Sequence, residues 1–120
     1  MPVNIVNVAT ITAKTTMISD VTTSIVDLIP TVGTNVIVKV NSVIIANDNG
    51  SSSDDVSVFI TDNSNNIQSY LAKTIPVPAN SSLVVVSKDI SVYIDEGYKL
   101  RASSANGGRL DATCSYEEIS

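Results

Sequence analysis

The chain has 120 residues, 43% hydrophobic and 16% charged, carries a net charge of −5, and contains one cysteine, no histidine and no tryptophan. That length fits one domain with its own core, 1–120, and the apolar content is too high for a disordered chain. The charge opposes a phosphate backbone, the lack of histidine removes the Ser/His/Asp and Cys/His nucleophile arrangements and the usual zinc sets, and no apolar run approaches the roughly 20 residues of a membrane-spanning helix. The expectation is a non-enzymatic protein without cofactor, with neither nucleic acid nor membrane as partner.

The apolar residues are mostly Val and Ile, interspersed with Ser, Thr and Asn, a mixture that favours strands because β-branched side chains pack well on a pleated surface. At the start, Val3, Ile5, Asn7, Ala9 and Ile11 fall on one side and Asn4, Val6, Val8 and Thr10 on the other, which predicts a strand with apolar residues on both faces. The same stretch lacks the basic start and continuous apolar run of a signal peptide, and Cys114 has no intrachain partner; synthesis in a reducing cytoplasm is expected. "MISDVTTSIVDLIPTVGTN" reads as a strand ending in a turn at Pro30 and Gly33. In "NVIVKVNSVIIAN" the alternation of Val36, Val38 and Val40 loses its phase after Ser42, so a bulge or a strand covered on both faces is expected.

"NDNGSSSDD" is a loop; its oxygen ligands suit calcium, but the Asp-x-Asp-x-Asp-Gly spacing and distal Glu of a specific site are missing, and a solvated loop is the better reading. "DVSVFITD" places Val56, Val58 and Ile60 on one face, "NSNN" turns the chain, and "IQSYLAKTIPVP" resumes as a strand stopped by Pro76 and Pro78. "SLVVV" and "SVYID" are separated by "KD", Glu96 and Gly97 form a turn, and "YKLRASS" and "RLDATCSYEEI" close the series. Eight or nine short strands without a helical pattern predict an all-β antiparallel sandwich, Ig-like or jelly-roll-like.

Leu100, Ala102 and Ser104 share one face of the penultimate strand, and Leu110, Ala112, Cys114 and Tyr116 one face of the last. Treated as a hairpin, equal parity demands a three-residue loop, Asn106 to Gly108, with Leu100 opposite Cys114 and Arg101 within diagonal reach of Asp111. Cys114 then packs as a small buried hydrophobe. Tyr93, Tyr98 and Tyr116 read as core residues with wet hydroxyls or, second, as interface anchors, Lys73, Lys88 and Lys99 as solubilising or edge-guarding cations, and Glu117 to Ser120 as interface candidates. The carboxylates cluster at turns or at the end of the chain and few aromatics could stack a sugar, which speaks against a glycosidase.

The last 45 residues carry "PANSSLVV", then "YIDEGYKLRASS", then "SYEEIS". In this order they resemble small virion structural proteins of tailed phages, cyanophages in particular; the shared positions Pro78, Leu83, Gly97, Leu100 and Tyr116 are turn and packing residues. The resemblance implies a virion protein made in the host cytoplasm, foremost a capsid decoration or cement protein on the major capsid protein, in many copies and as a homo-oligomer. Its alternatives are a tail, neck or baseplate adaptor or fibre-associated subunit and, further off, a host-glycan-binding module.

Overall fold

The structure, a computed structural model, describes residues 10–120; the part of the predicted first strand that precedes Thr10 lies outside them. Nine strands follow in order: β1 (Ile11–Ile18), β2 (Val26–Ile29), β3 (Ile37–Asn47), β4 (Asp54–Asp62), β5 (Ile67–Val77), β6 (Ser82–Val86), β7 (Val92–Ile94), β8 (Tyr98–Ser104) and β9 (Leu110–Ile119), with a 3-10 turn at Lys88–Ile90 between β6 and β7. One sheet, A, has the order β1-β9-β3-β6 with β7 also on β3; the other, B, has the order β2-β8-β4-β5. All ladders are antiparallel.

Folding the chain about the β4–β5 hairpin lays β3 against β6 and β7, β2 against β8 and β1 against β9. That first-against-last pairing, split over two sheets, is a jelly roll, and it decides between the two sandwich types the sequence allowed. Nine strands fill the eight positions because β6 and β7 divide one side of β3.

The core lies between the sheets, with Val40, Val43, Leu110 and Cys114 of sheet A and Leu28, Val56, Val58 and Leu100 of sheet B all fully buried. The lost phase in β3 is a bulge: its register against β9 shifts between Val40 and Ser42. Before it Val38 and Val40 are buried, after it Val43, Ile45 and Asn47, so one extra residue keeps a long strand apolar on one side.

The predicted final hairpin is not present. β8 lies in sheet B between β2 and β4, and β9 in sheet A between β1 and β3. Residues 105–109 cross from one sheet to the other, with Gly107 and Gly108 at φ 77° and 73°, values costly for any side chain with a Cβ. Leu100, Ala102, Leu110, Ala112, Cys114 and Tyr116 do turn inward, but toward each other across the core and not along a shared ladder. Arg101 accordingly meets Asp27, its partner on β2, at 2.7 Å and not Asp111. Pro76 does not stop its strand either: β5 continues to Val77, which proline tolerates because β5 is an edge.

One end of the sandwich is held by buried polar groups. Asn47 Nδ2 donates to the carbonyls of Val77 at 2.9 Å and Ser52 at 3.0 Å, Ser104 Oγ donates to the Val21 carbonyl at 2.7 Å, and Asp54 Oδ1 accepts from the backbone and side-chain nitrogens of Asn106 at 3.1 and 2.8 Å. The segment 48–53 is thereby an ordered loop, its turn made by Asn49 Oδ1 accepting from the N–H groups of Ser51 and Ser52.

Candidate functional site

An edge strand exposes a row of backbone donors and acceptors, and most edges here are blunted. β2 has four residues and a register shift, β6 has five and a shift, and β7 has three. β5 is long, but it contains Pro76, Thr74 at φ 52° and repeated register shifts, and Lys73 lies over the Tyr70 ring at 5.2 Å. Proline, bulges and lysine are the devices that keep sheets from pairing edge to edge.

β1 has neither proline nor bulge, and its one lysine, Lys14, is tied to Glu118 on the neighbouring strand. Its eight residues pair with β9 in unbroken register, and among the described residues no strand pairs with its other side. Thr10 and Ser120 exchange both N–H···O bonds at 2.9 Å. Bonded and non-bonded pairs alternate along an antiparallel ladder, so Thr12, Lys14, Thr16 and Ile18 bond to β9. The N–H and C=O groups of Ile11, Ala13, Thr15 and Met17 therefore point to the open side. Ile11 is 60% exposed and Met17 78%. The strand's one charged side chain, Lys14, turns back to Glu118 at 2.7 Å, and that ion pair raises its pKa.

The outer face of sheet A continues this edge. Met17, Thr113, Ile44 and Val84 form a cross-strand row through β1, β9, β3 and β6, Val84 being 56% exposed. Beside the row, Ile44, Val84, Ser115 and Lys88 line a shallow groove of about 450 Å³. A second, smaller cleft of about 270 Å³ opens where β5 and β7, the edges of the two sheets, diverge; Tyr93, Tyr98, Asp95, Gln68 and Ser69 line it over Ile60 and Ile94.

The residues singled out in the sequence scatter. Cys114 is fully buried and burial pushes its thiol pKa up to about 12, so it is a packing residue, as expected. Of the three tyrosines, Tyr116 alone is core; Tyr93 and Tyr98 are exposed at the mouth of the sandwich, because core cover ends there. Lys73 does stand on an edge, whereas Lys99 sits on the interior strand β8 and donates to Asn65 Oδ1 at 3.0 Å. Glu117 and Glu118 are part of β9 and Ile119 is buried, which leaves Ser120 as the exposed one of the four. Asp111 is half-buried with its Oδ1 shut off from solvent and without a partner; burial first, then the Asp48 and Asp20 carboxylates, raise its pKa. Among the described residues, no three Asp, Glu or Cys side chains are arranged to hold a metal ion. Met17 and Ile11 were legible as apolar strand residues but not as edge residues, since edge position is a property of topology.

No protein-family model matches the chain, and no curated protein matches it. Among solved structures it is similar to a protein of Bacillus endospore appendages, which form a family of disulfide-linked pili: TM-score 0.53 and 12% identity over 92% of this chain and 88% of that one. Two infectious bursal disease virus structures, the Gx strain and the VP2 subviral particle, align with TM-scores of 0.43 and 0.36 at 10% and 9% identity. They cover 93% and 92% of this chain but 32% and 30% of theirs, so this chain spans about a third of their length. The likeness to the appendage protein is one of fold.

Proposed function

We propose that the chain is a non-enzymatic structural subunit of a tailed-phage virion, a capsid decoration protein that binds the outer shell in many copies. The observation that carries the reading is the β1 edge, unpaired among the described residues and continuous with the apolar row on sheet A, while the other edges are blunted. An edge left free in this way accepts a strand from a neighbour: main-chain hydrogen bonds supply affinity, and Met17 and Ile11 supply apolar area. A fold shared with a pilus protein suits subunits that dock on one another. Disulfide linkage of the kind named for those pili cannot run through Cys114, which is buried and is the chain's one cysteine; the contacts are non-covalent. Each bound copy favours the assembled shell by mass action.

Quantitative mass spectrometry of purified particles tests the reading. Hundreds of copies per particle are expected. A few dozen or fewer would move the chain to the tail, neck or baseplate, and absence from particles would end the virion reading.

A further inference from the structure

We infer that the tyrosine-lined cleft between β5 and β7 is a binding site for a single neutral pyranose ring, a property beyond the assembly role and independent of it.

The cleft combines what such a ring requires. A pyranose has an apolar face of C–H groups and a rim of hydroxyls, so it is held by an aromatic face together with a few polar groups. Tyr93 and Tyr98 are 45% and 36% exposed, and both line the cleft. Tyr70 instead packs on Phe59, ring centroids 5.5 Å apart, under Lys73, and Tyr116 is in the core. Asp95 and Gln68 line the same cleft with Ile60 and Ile94; a carboxylate accepts, and the Gln68 amide, whose Nε2 donates to the Asn66 carbonyl at 3.1 Å, keeps its oxygen as an acceptor and a second N–H as a donor. Pockets for drug-sized ligands begin at about 300 Å³, so about 270 Å³ suits one ring.

The site is also rigidly held. Asp95 and Tyr98 are the two ends of one turn, closed by Tyr98 N–H donating to the Asp95 carbonyl at 3.2 Å and made possible by Gly97 at φ 86°. That turn is tied to the segment before β3: Gly97 N–H donates to the Val32 carbonyl at 2.9 Å, Val32 N–H to the Tyr98 carbonyl at 3.0 Å, and Asn35 N–H to Glu96 Oε2 at 2.8 Å. The backbone of that turn is thus set before a ligand arrives, which favours binding. Asp95 in the cleft and a net charge of −5 on the chain disfavour anionic sugars, so the class is neutral.

The test is titration of the ¹⁵N-labelled full chain with methyl glycosides of glucose, galactose, mannose and N-acetylglucosamine, a methyl glycoside of N-acetylneuraminic acid and phenol. At least one neutral glycoside is expected to give saturable shifts confined to Gln68, Ser69 and residues 93–98, with none from the acidic sugar. Tyr93→Ala and Tyr98→Ala should each weaken binding about tenfold, on the scale of one aromatic contact, while Tyr70→Ala leaves it unchanged; both replaced rings are exposed, and an unchanged melting temperature checks the fold. Absence of saturable shifts with every neutral glycoside, shifts centred elsewhere, equal loss in Tyr70→Ala, or binding of phenol alone would overturn the assignment. None of these outcomes touches the copy number in particles.

Discussion

Replacing Asn47 probes the buried polar end of the sandwich. Asn47 joins three segments, since its Nδ2 donates to the Val77 and Ser52 carbonyls and its Oδ1 accepts from Asn49 N–H at 2.8 Å. Asn47→Ala strands all three groups. Val77 is fully buried, so its carbonyl has no route to water, and leaving it unsatisfied costs about 1–3 kcal/mol. Ser52 and Asn49 are half-buried and rehydrate in part, each losing about 0.5–1 kcal/mol. The total is about 2–5 kcal/mol, a large share of the roughly 5–15 kcal/mol that holds a domain together. Asn47→Asp retains the shape but sets carboxylate oxygen against two carbonyl oxygens; it should be less stable than Asn47→Ala at pH 7 and recover as acid supplies the missing proton. Urea unfolding with an unchanged m-value measures both effects. A loss below about 0.5 kcal/mol in Asn47→Ala, or an Asp variant as stable as the parent at pH 7, would refute the network as a source of stability.

Cys114→Ser buries a hydroxyl where a thiol packed and should cost about 1–3 kcal/mol, more than Cys114→Ala; the folded parent should resist alkylation at pH 8 and react fully in urea. Asp111 has a folded-state pKa above its unfolded value, so it penalises the fold at neutral pH, and the penalty fades as pH falls through the raised pKa toward the ordinary carboxylate range. Asp111→Asn is thus expected to raise the melting temperature at pH 7, the gain shrinking toward zero near pH 3; a gain independent of pH would contradict that origin. Deleting residues 110–120 removes the strand between β1 and β3 and should abolish soluble folded protein; an unchanged thermal transition would contradict the topology.

Strand positions were legible because Val and Ile alternate, and the bulge in β3 because its buried set passes from Val38 and Val40 to Val43 and Ile45. Partnership was not. A hairpin and a sheet-crossing arch turn the same sides of β8 and β9 inward, so the parity of Leu100 and Cys114 could not tell a ladder neighbour from a facing sheet. Tyr98 has the core parity of Leu100 but stands where the opposite sheet ends, and alternation does not reveal where cover runs out. The two candidate surfaces were hidden for a related reason: the β1 edge depends on which strands do not pair, and the tyrosine cleft brings together Gln68 and Tyr93 from opposite sheets.

The open edge carries the proposed role, and Thr15 isolates it. Its N–H points away from β9, so Thr15→Pro removes one outward donor and leaves the β1–β9 ladder intact. The decisive measurement is occupancy of purified particles lacking the chain after incubation with wild-type or Thr15→Pro protein of matched melting temperature. Occupancy should fall at least about tenfold for the variant, about the 1.4 kcal/mol of one lost hydrogen bond; equal occupancy by a folded variant would contradict assembly through β1.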